Sequence, residues 1–369
     1  MEIVYGLEVD MLSLGDADCI VVTEWTSTCA CRVLIDGGSA DDTGIIREFL
    51  RSRGYSNFYA VVCTHLHNDH ARGLIQLVHD KSIGFSTGWM HDIRKHVSAD
   101  ALHRASSGSS AQAQNVRQVI ENTKELADAF SGRNIVPKEP FAGRIISNFP
   151  GLAVLGPDEY FYKRTLEEFT RVAVPIPAPL SSVAFARIPL APLSGLPVPM
   201  PRRPPLGVPF PAPSTDFSSL FAGALSKSSV KETPVTQPFN NTSAVLGCLF
   251  NGSRLLFTGD AGCDALERVP PDWKNLHWMQ VPHHGSDGNL SRNNIERFCP
   301  RFAYISAKGS TNHPSRSIVN GLMKVGAQVA STGRGNLWFG LGDVSLPPGY
   351  GPPTLFRFTA PRAFSAGGD

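Results

Sequence analysis

Residues 58–70 read Phe-Tyr-Ala-Val-Val-Cys-Thr-His-Leu-His-Asn-Asp-His. The first seven form an unbroken apolar run, short and rich in aromatic and β-branched side chains. That pattern predicts a buried strand. The run ends directly in His65, His67, Asp69 and His70, four residues with imidazole or carboxylate groups inside six positions. These groups suit zinc, manganese and iron. A loop at a strand end can aim alternate side chains at one point. His65 and His67 would reach one metal, and Asp69 and His70 another. A helix is expected to begin near Gly73.

Upstream, residues 2–12, 18–24 and 32–36 read as strands. Residues 43–53 have helical spacing with Thr43 as N-cap. Downstream, 84–89 reads as a strand, 110–130 as a helix and 152–155 as a short strand. Residues 243–250 and 254–258 flank Asn251-Gly252, a two-residue hairpin signal. A helix over 262–267 leads to strand 277–281, helix 291–298, strand 302–306 and helix 315–324. Strands near 327–331, 336–340 and 354–359 complete a chain in which helices and strands alternate.

The run His65-Leu66-His67-Asn68-Asp69-His70 resembles the H-x-H-x-D-H signature of the metallo-β-lactamase superfamily. Leu34-Ile35-Asp36-Gly37-Gly38 resembles the family's early strand and glycine element, with Asp36 supporting the metal loop. Residues 255–262 (LLFTGDAG) resemble the strand that delivers the bridging carboxylate, here Asp260. Residues 281–286 (VPHHGS) resemble the late histidine motif. Together these motifs span roughly residues 3–340 in the family's order. Ile305-Ser306 and Asn312-His313-Pro314-Ser315 narrow the likeness to the β-lactamase-like domain of the DNA-uptake protein ComEC, which is viewed as a nuclease. The resemblance implies an α/β fold, a metallo-β-lactamase-like αββα sandwich. It also implies two divalent metal ions, Zn2+ or Mn2+. Their ligands would be His65, His67, Asp69, His70, Asp260 and His283. Asp69, Asp260, His284 and His313 would act in catalysis, and Lys308, Asn241 and Ser286 would contact substrate.

The likeness has one departure. A third histidine motif usually precedes the bridging Asp, and here the matching stretch is Asn240-Asn241-Thr242-Ser243. Asn241 stands where the histidine would be, so the site of His65 and His67 is poorer in protein ligands. Oxygen donors there suit manganese better than zinc. The sequence does not separate His283 from His284, although the position directly after the strand favours His283. His79, His91, His96, His103 and His277 lack ligand spacing and read as surface or satisfied core histidines.

Of the 369 residues, 42% are hydrophobic and 18% charged, enough to build a core, and the net charge is only +2. No global field steers the chain onto nucleic acid. Residues 301–369 nevertheless hold seven Lys/Arg against two Asp, and Arg202-Arg203 add a basic point. The seven cysteines are scattered without a C-x-x-C, which argues for reduced thiols rather than disulfides. No apolar run approaches the roughly 18 residues of a membrane span. The acidic N-terminus lacks a signal-peptide pattern, so a cytoplasmic location without membrane contact is expected.

Thirteen prolines fall between Val174 and Ser214. Proline fixes φ and lacks the N–H, so neither helix nor sheet is expected there. Residues 174–240 read as a Pro-rich insertion between the two halves of one domain, 1–369. They form a wrap over that domain, a mobile linker, or a docking strip for a protein partner. Three functions compete. The first is a metal-dependent phosphodiesterase or nuclease acting on DNA or RNA, with two metals about 3.5–4 Å apart holding the attacking hydroxide. The second is hydrolysis of a small phosphodiester, ester or lactone. The third is a non-catalytic partner-binding module.

Overall fold

The structure, a computed structural model, describes residues 4–146, 151–172, 230–309 and 313–356. The first half runs β1 (Val4–Met11), β2 (Ile20–Thr26), β3 (Ala30–Ile35), α1 (Thr43–Ser52), β4 (Asn57–Val62), α2 (Asn68–His79), β5 (Gly84–Trp89), α3 (Ala99–Ser106) and α4 (Ala111–Ser131). Then come β6 (Leu152–Gly156) and α5 (Glu159–Val172). The second half runs β7 (Val245–Phe250), β8 (Ser253–Phe257), α6 (Cys263–Glu267), β9 (Trp278–Gln280), α7 (Arg292–Phe298), β10 (Phe302–Ile305), α8 (Arg316–Lys324), β11 (Gln328–Ser331) and β12 (Leu337–Gly342). The Pro-rich stretch 174–214, with Arg202 and Arg203, lies outside the described residues, and so does Asn312.

The strands form two six-stranded sheets, ordered β12-β1-β2-β3-β4-β5 and β11-β10-β9-β8-β7-β6. The pairs β3–β4 and β4–β5 are parallel, as are β8–β9, β9–β10 and β10–β11. Leu7, Val9, Met11, Val22 and Ile35 of the first sheet share a core with Leu246, Phe257, Trp278 and Tyr304 of the second. On the outer face of the first sheet, Val61 and Phe58 pack with Ile46, Leu74, Val119 and Phe130 of the helices. On the outer face of the second, Leu256, Met279 and Ile305 pack with Leu266, Phe298 and Leu322. The layers are therefore helix, sheet, sheet, helix. The apolar run of β4 now has its cause. Val61 faces the helices, Ala60 and Val62 face the other sheet, and all three are buried.

The β7–β8 hairpin pairs Phe250 with Ser253, and Asn251 and Gly252 both take positive φ, as a two-residue primed turn needs. Thr43 lies inside α1 rather than capping it, and its hydroxyl donates to the Ala40 carbonyl at 2.8 Å. Of the strand expected over 354–359, residues 357–359 lie outside the described residues, and the described part holds an isolated bridge, Ala330 to Leu355. Helices α3 and α5 are additions that the sequence reading did not contain.

Helix α2 starts at Asn68 and not near Gly73, so Asp69 and His70 sit in its first turn. Gly73 serves a different need. A Cβ there would strike the Gly37 carbonyl oxygen and come within 2.7 Å of the Ser39 carbonyl oxygen. The Gly73 N–H donates to the Gly38 carbonyl at 2.9 Å, and the Gly37 N–H to the His70 carbonyl at 2.9 Å. The two glycine-bearing segments therefore touch backbone to backbone under the metal loop. Gly73→Ala is expected to cost about 2–3 kcal/mol through overpacking, read as a lower urea midpoint. A variant as stable as the parent would show that α2 can move away from Gly37.

Candidate metal centre

The site lies where parallel strands end, the place α/β sheets commonly offer to ligands. The β4 end supplies His65 and His67, and α2 supplies Asp69 and His70. The β8 end supplies Asp260, and the β9 end supplies His283 and His284. Two groups of ligand atoms result, each with its atoms within 4.8 Å of one another. One is His65, His67 and Asp260, and the other is Asp69, His70, Asp260 and His284. Asp260 belongs to both. His70 also belongs to a third group, with Asp18 and Asp36, on its other side.

The hydrogen bonds around the rings settle which nitrogen each presents. Asp36 accepts from the Thr64 N–H at 2.7 Å and from the Thr64 hydroxyl at 2.6 Å. It also holds His70 Nδ1 at 2.8 Å, which turns His70 Nε2 toward Asp260 Oδ1 at 3.2 Å. His284 Nδ1 faces the Ser306 carbonyl at 2.8 Å, an acceptor only, so Nδ1 carries the hydrogen. Its Nε2 then lies within hydrogen-bond distance of Asp69 Oδ2, at 3.2 Å. For His283, Nδ1 faces Asn289 Oδ1 at 2.8 Å. The Asn289 amide orientation is fixed because its Nδ2 donates to the Asp260 carbonyl at 2.7 Å. His283 Nε2 is left 3.8 Å from Asp260 Oδ2. His65 Nδ1 lies 3.3 Å from Thr64 Oγ1, and its Nε2 stands 3.5 Å from Asp260 Oδ2. Imidazoles whose far nitrogen is tied to a protein acceptor are oriented in the manner of metal ligands.

These groups converge on one another, with His65 Nε2 3.0 Å from His67 Nδ1 and His284 Nε2 3.2 Å from Asp69 Oδ2. Both oxygens of Asp260 are buried and accept no well-formed hydrogen bond, and His67 Nε2 and His70 Nε2 are also unpaired. Such orphaned groups are costly unless something charged completes them. Burial opposes ionisation of Asp260, but His70, His283 and His65 outweigh it and hold the carboxyl well below its usual range. Burial pushes His65 well down, toward the neutral form that binds metal. The donor set of imidazoles and carboxylates fits divalent zinc or manganese.

His283 and His284 both reach the site through an unusual backbone. Their φ values are 47° and 54°, two successive non-glycine residues in the left-handed region. Each such residue costs about 1–3 kcal/mol, and strain of this kind gathers at functional sites. The sequence favours His283 beside Asp69 and His70, whereas the group of potential ligands there contains His284. His283 stands instead on the side of His65, where the sequence leaves a histidine missing.

Asn241 does not take that place either. Its Oδ1 accepts the Ala265 N–H at 3.4 Å, inside α6, and it is buried there rather than turned to a substrate. Its neighbour Asn240 is the one beside His283 Nδ1, at 3.3 Å. The Ser286 hydroxyl accepts the Gly288 N–H at 3.2 Å within its own turn. His313 lies at the mouth, with ring centroids 5.6 Å from His283 and 5.9 Å from His284. Its Nδ1 is 3.5 Å from Asp16 Oδ2. Asp16 Oδ1 also accepts the Lys308 backbone N–H at 3.1 Å, and Lys308 is exposed. The Asp69 and His283 side chains, 32% and 27% exposed, mark the open side of an otherwise buried cluster.

Of the remaining histidines, His91 is buried with neither ring nitrogen paired. It stacks on Tyr162 at 4.3 Å. Burial first, then His96, pushes it down to about 3, so it stays neutral. It is a core histidine. His96 Nε2 meets Glu139 Oε1 at 2.7 Å. Asp18, Thr64, Asn240, Gln280 and Asn289 support the site but carry no motif spacing.

Residues 13–130, which include the whole His65–His70 loop, match the family model described as the metallo-beta-lactamase superfamily. That stretch is similar to the superfamily and spans about a third of the chain. Asp260 and the pair His283-His284 come from the second sheet, outside the matched residues. Two solved structures are similar to the chain. One is a Thermotoga maritima protein assigned provisionally as a metallo-beta-lactamase, with 17% identity and a TM-score of 0.24. That alignment covers 37% of this chain and 54% of that one, so the chain spans about half of its length. The other is a diphosphatase from the PhnP family, with 11% identity, a TM-score of 0.40 and coverage of 92% and 100%. A comparison with curated proteins returns no match. Among the described residues, no helix is long and apolar enough to cross a membrane.

Proposed function

We propose that the chain is a divalent-metal-dependent hydrolase of phosphodiester bonds, with a nucleic acid as its substrate. The observation that carries this reading is the buried Asp260 carboxylate shared by two groups of imidazole and carboxylate atoms. His65, His67, Asp260 and His283 would hold one cation, and Asp69, His70, Asp260 and His284 the other. Such a pair supplies Lewis acidity toward a phosphoryl oxygen and a lowered water pKa.

The chain's own residues do the rest. Asp36, Asn289 and Ser306 hold the rings of His70, His283 and His284 in register. Asp16 sits behind His313, which is placed at the open side to hold or release a proton at a leaving oxygen. Exposed Lys308 beside them fits an anionic substrate. The resemblance to the ComEC domain and the basic C-terminal stretch favour a polymer over a small ester.

Protein loaded with Mn2+ or Zn2+ is expected to cleave single- or double-stranded DNA or RNA, and to hydrolyse bis(p-nitrophenyl) phosphate. Turnover of the small ester alone would move the assignment to small phosphodiesters. No hydrolysis of any of these under either metal would sink the proposal.

A further inference from the structure

The side chains of Asp18 and Gln280 meet beneath the centre, 262 positions apart in sequence. Gln280 Nε2 donates to Asp18 Oδ2 at 2.7 Å, and each residue is only 1% exposed. The Gln280 amide cannot be reversed. Its Oε1 accepts the N–H groups of Thr258 and Gly259 at 3.0 and 3.3 Å, so Nε2 must face Asp18. Those two N–H groups belong to the backbone that leads directly into Asp260. The Gln280 carbonyl also accepts the Thr258 hydroxyl at 3.0 Å, and the His283 N–H donates to the Gly259 carbonyl at 3.3 Å. Gln280 therefore fixes the Asp260 segment against the His283–His284 segment.

Asp18 does the matching work on the other sheet. Its N–H donates to the Asp69 carbonyl at 3.1 Å, and its carbonyl accepts the Gly38 N–H at 2.8 Å. Its side chain stands behind the second group of ligands. Oδ2 is 3.8 Å from His70 Nδ1, and Oδ1 is 4.0 Å from His284 Nδ1. A carboxylate in that position favours hydrogen on both Nδ1 atoms and leaves both Nε2 atoms aimed at Asp69 and Asp260.

We propose that the Asp18–Gln280 hydrogen bond is a brace that sets the spacing between the Asp69–His70 turn and the Asp260–His284 segments, so that both residues position the second cation's ligands. This rests on the two-cation reading above.

Cobalt(II) titration of the chelator-treated full chain tests it, read by the visible absorption of the bound ion. The parent is expected to bind two equivalents. Gln280→Glu keeps the acceptor for Thr258 and Gly259 but sets a carboxylate against Asp18. It is expected to weaken the second equivalent about 10–100-fold, as loss of a supporting partner does, and to alter its spectrum. Adding Asp18→Asn to Gln280→Glu restores a donor opposite an acceptor with the polarity reversed, and is expected to recover part of the lost affinity, the rest being lost with the carboxylate behind His70 and His284. Unchanged binding in Gln280→Glu, or a double variant no better than the single, would overturn the brace. If Gln280→Glu does not fold, Gln280→Met takes its place in the same titration with the same two readings. A parent that binds no cobalt would instead overturn the metal centre itself.

Discussion

Replacing Asp260 by alanine is expected to lower kcat/KM for a phosphodiester by at least about 10³-fold. Asp260 is the residue common to both ligand groups, so its loss weakens both at once. His70 Nε2, His65 Nε2 and His283 Nε2 lie 3.2, 3.5 and 3.8 Å from its oxygens. A metal clamp on the reacting phosphate supplies several kcal/mol, and each 1.36 kcal/mol is a factor of ten in rate. The variant also loses stability when no cation is present. There His70, His283 and His65 hold the buried carboxylate ionised, and removing one partner of such a cluster leaves the others uncompensated. The metal-free variant is therefore expected to melt below the metal-free parent. With Zn2+ or Mn2+ the gap widens, because the parent gains more stability by binding. Steady-state kinetics and thermal melts with and without metal check both halves. Activity within tenfold of the parent would remove Asp260 from the centre.

What was legible in the sequence had short range. The β4 run and the Asn251-Gly252 turn are local patterns whose causes, burial on two faces and positive φ, act within a few residues. The loop His65–His70 was legible because its ligands share one strand end. Gly73 misled because glycine also serves close approach, and the partner in that approach is Gly37, far upstream. Helix α5 carries apolar residues at Phe161, Leu166 and Phe169, yet its aromatic-rich start obscured the helical period. The choice between His283 and His284 turned on two left-handed residues, which no periodicity reports. Asp18 and Gln280 were illegible for a simpler reason. Their bond crosses between the sheets, and neither residue sits in a pattern that announces the other.

The separate places of His283 and His284 lead to the second large effect. His284 Nε2 is 3.2 Å from Asp69 Oδ2, and its other nitrogen is held by the Ser306 carbonyl. His284→Ala removes an oriented ligand from the group that also holds Asp69 and His70. The variant is expected to keep one tightly bound cation after dialysis where the parent keeps two, and to lose about 10²–10³-fold in kcat, the range for one transition-state stabilising group. His283→Ala is expected to spare that second cation and weaken the other, because without His283 the first group is only His65, His67 and Asp260. The first-group cation then has two imidazoles and a shared carboxylate, one donor fewer, and is held more weakly. Metal content after loading with Zn2+ or Mn2+ and dialysis therefore separates the two histidines. Selective loss of the first-group cation in His283→Ala makes His283 the replacement for the histidine absent at Asn241. Full retention of both cations in that variant, with only KM raised, would make it a substrate contact and leave the first group with three ligands.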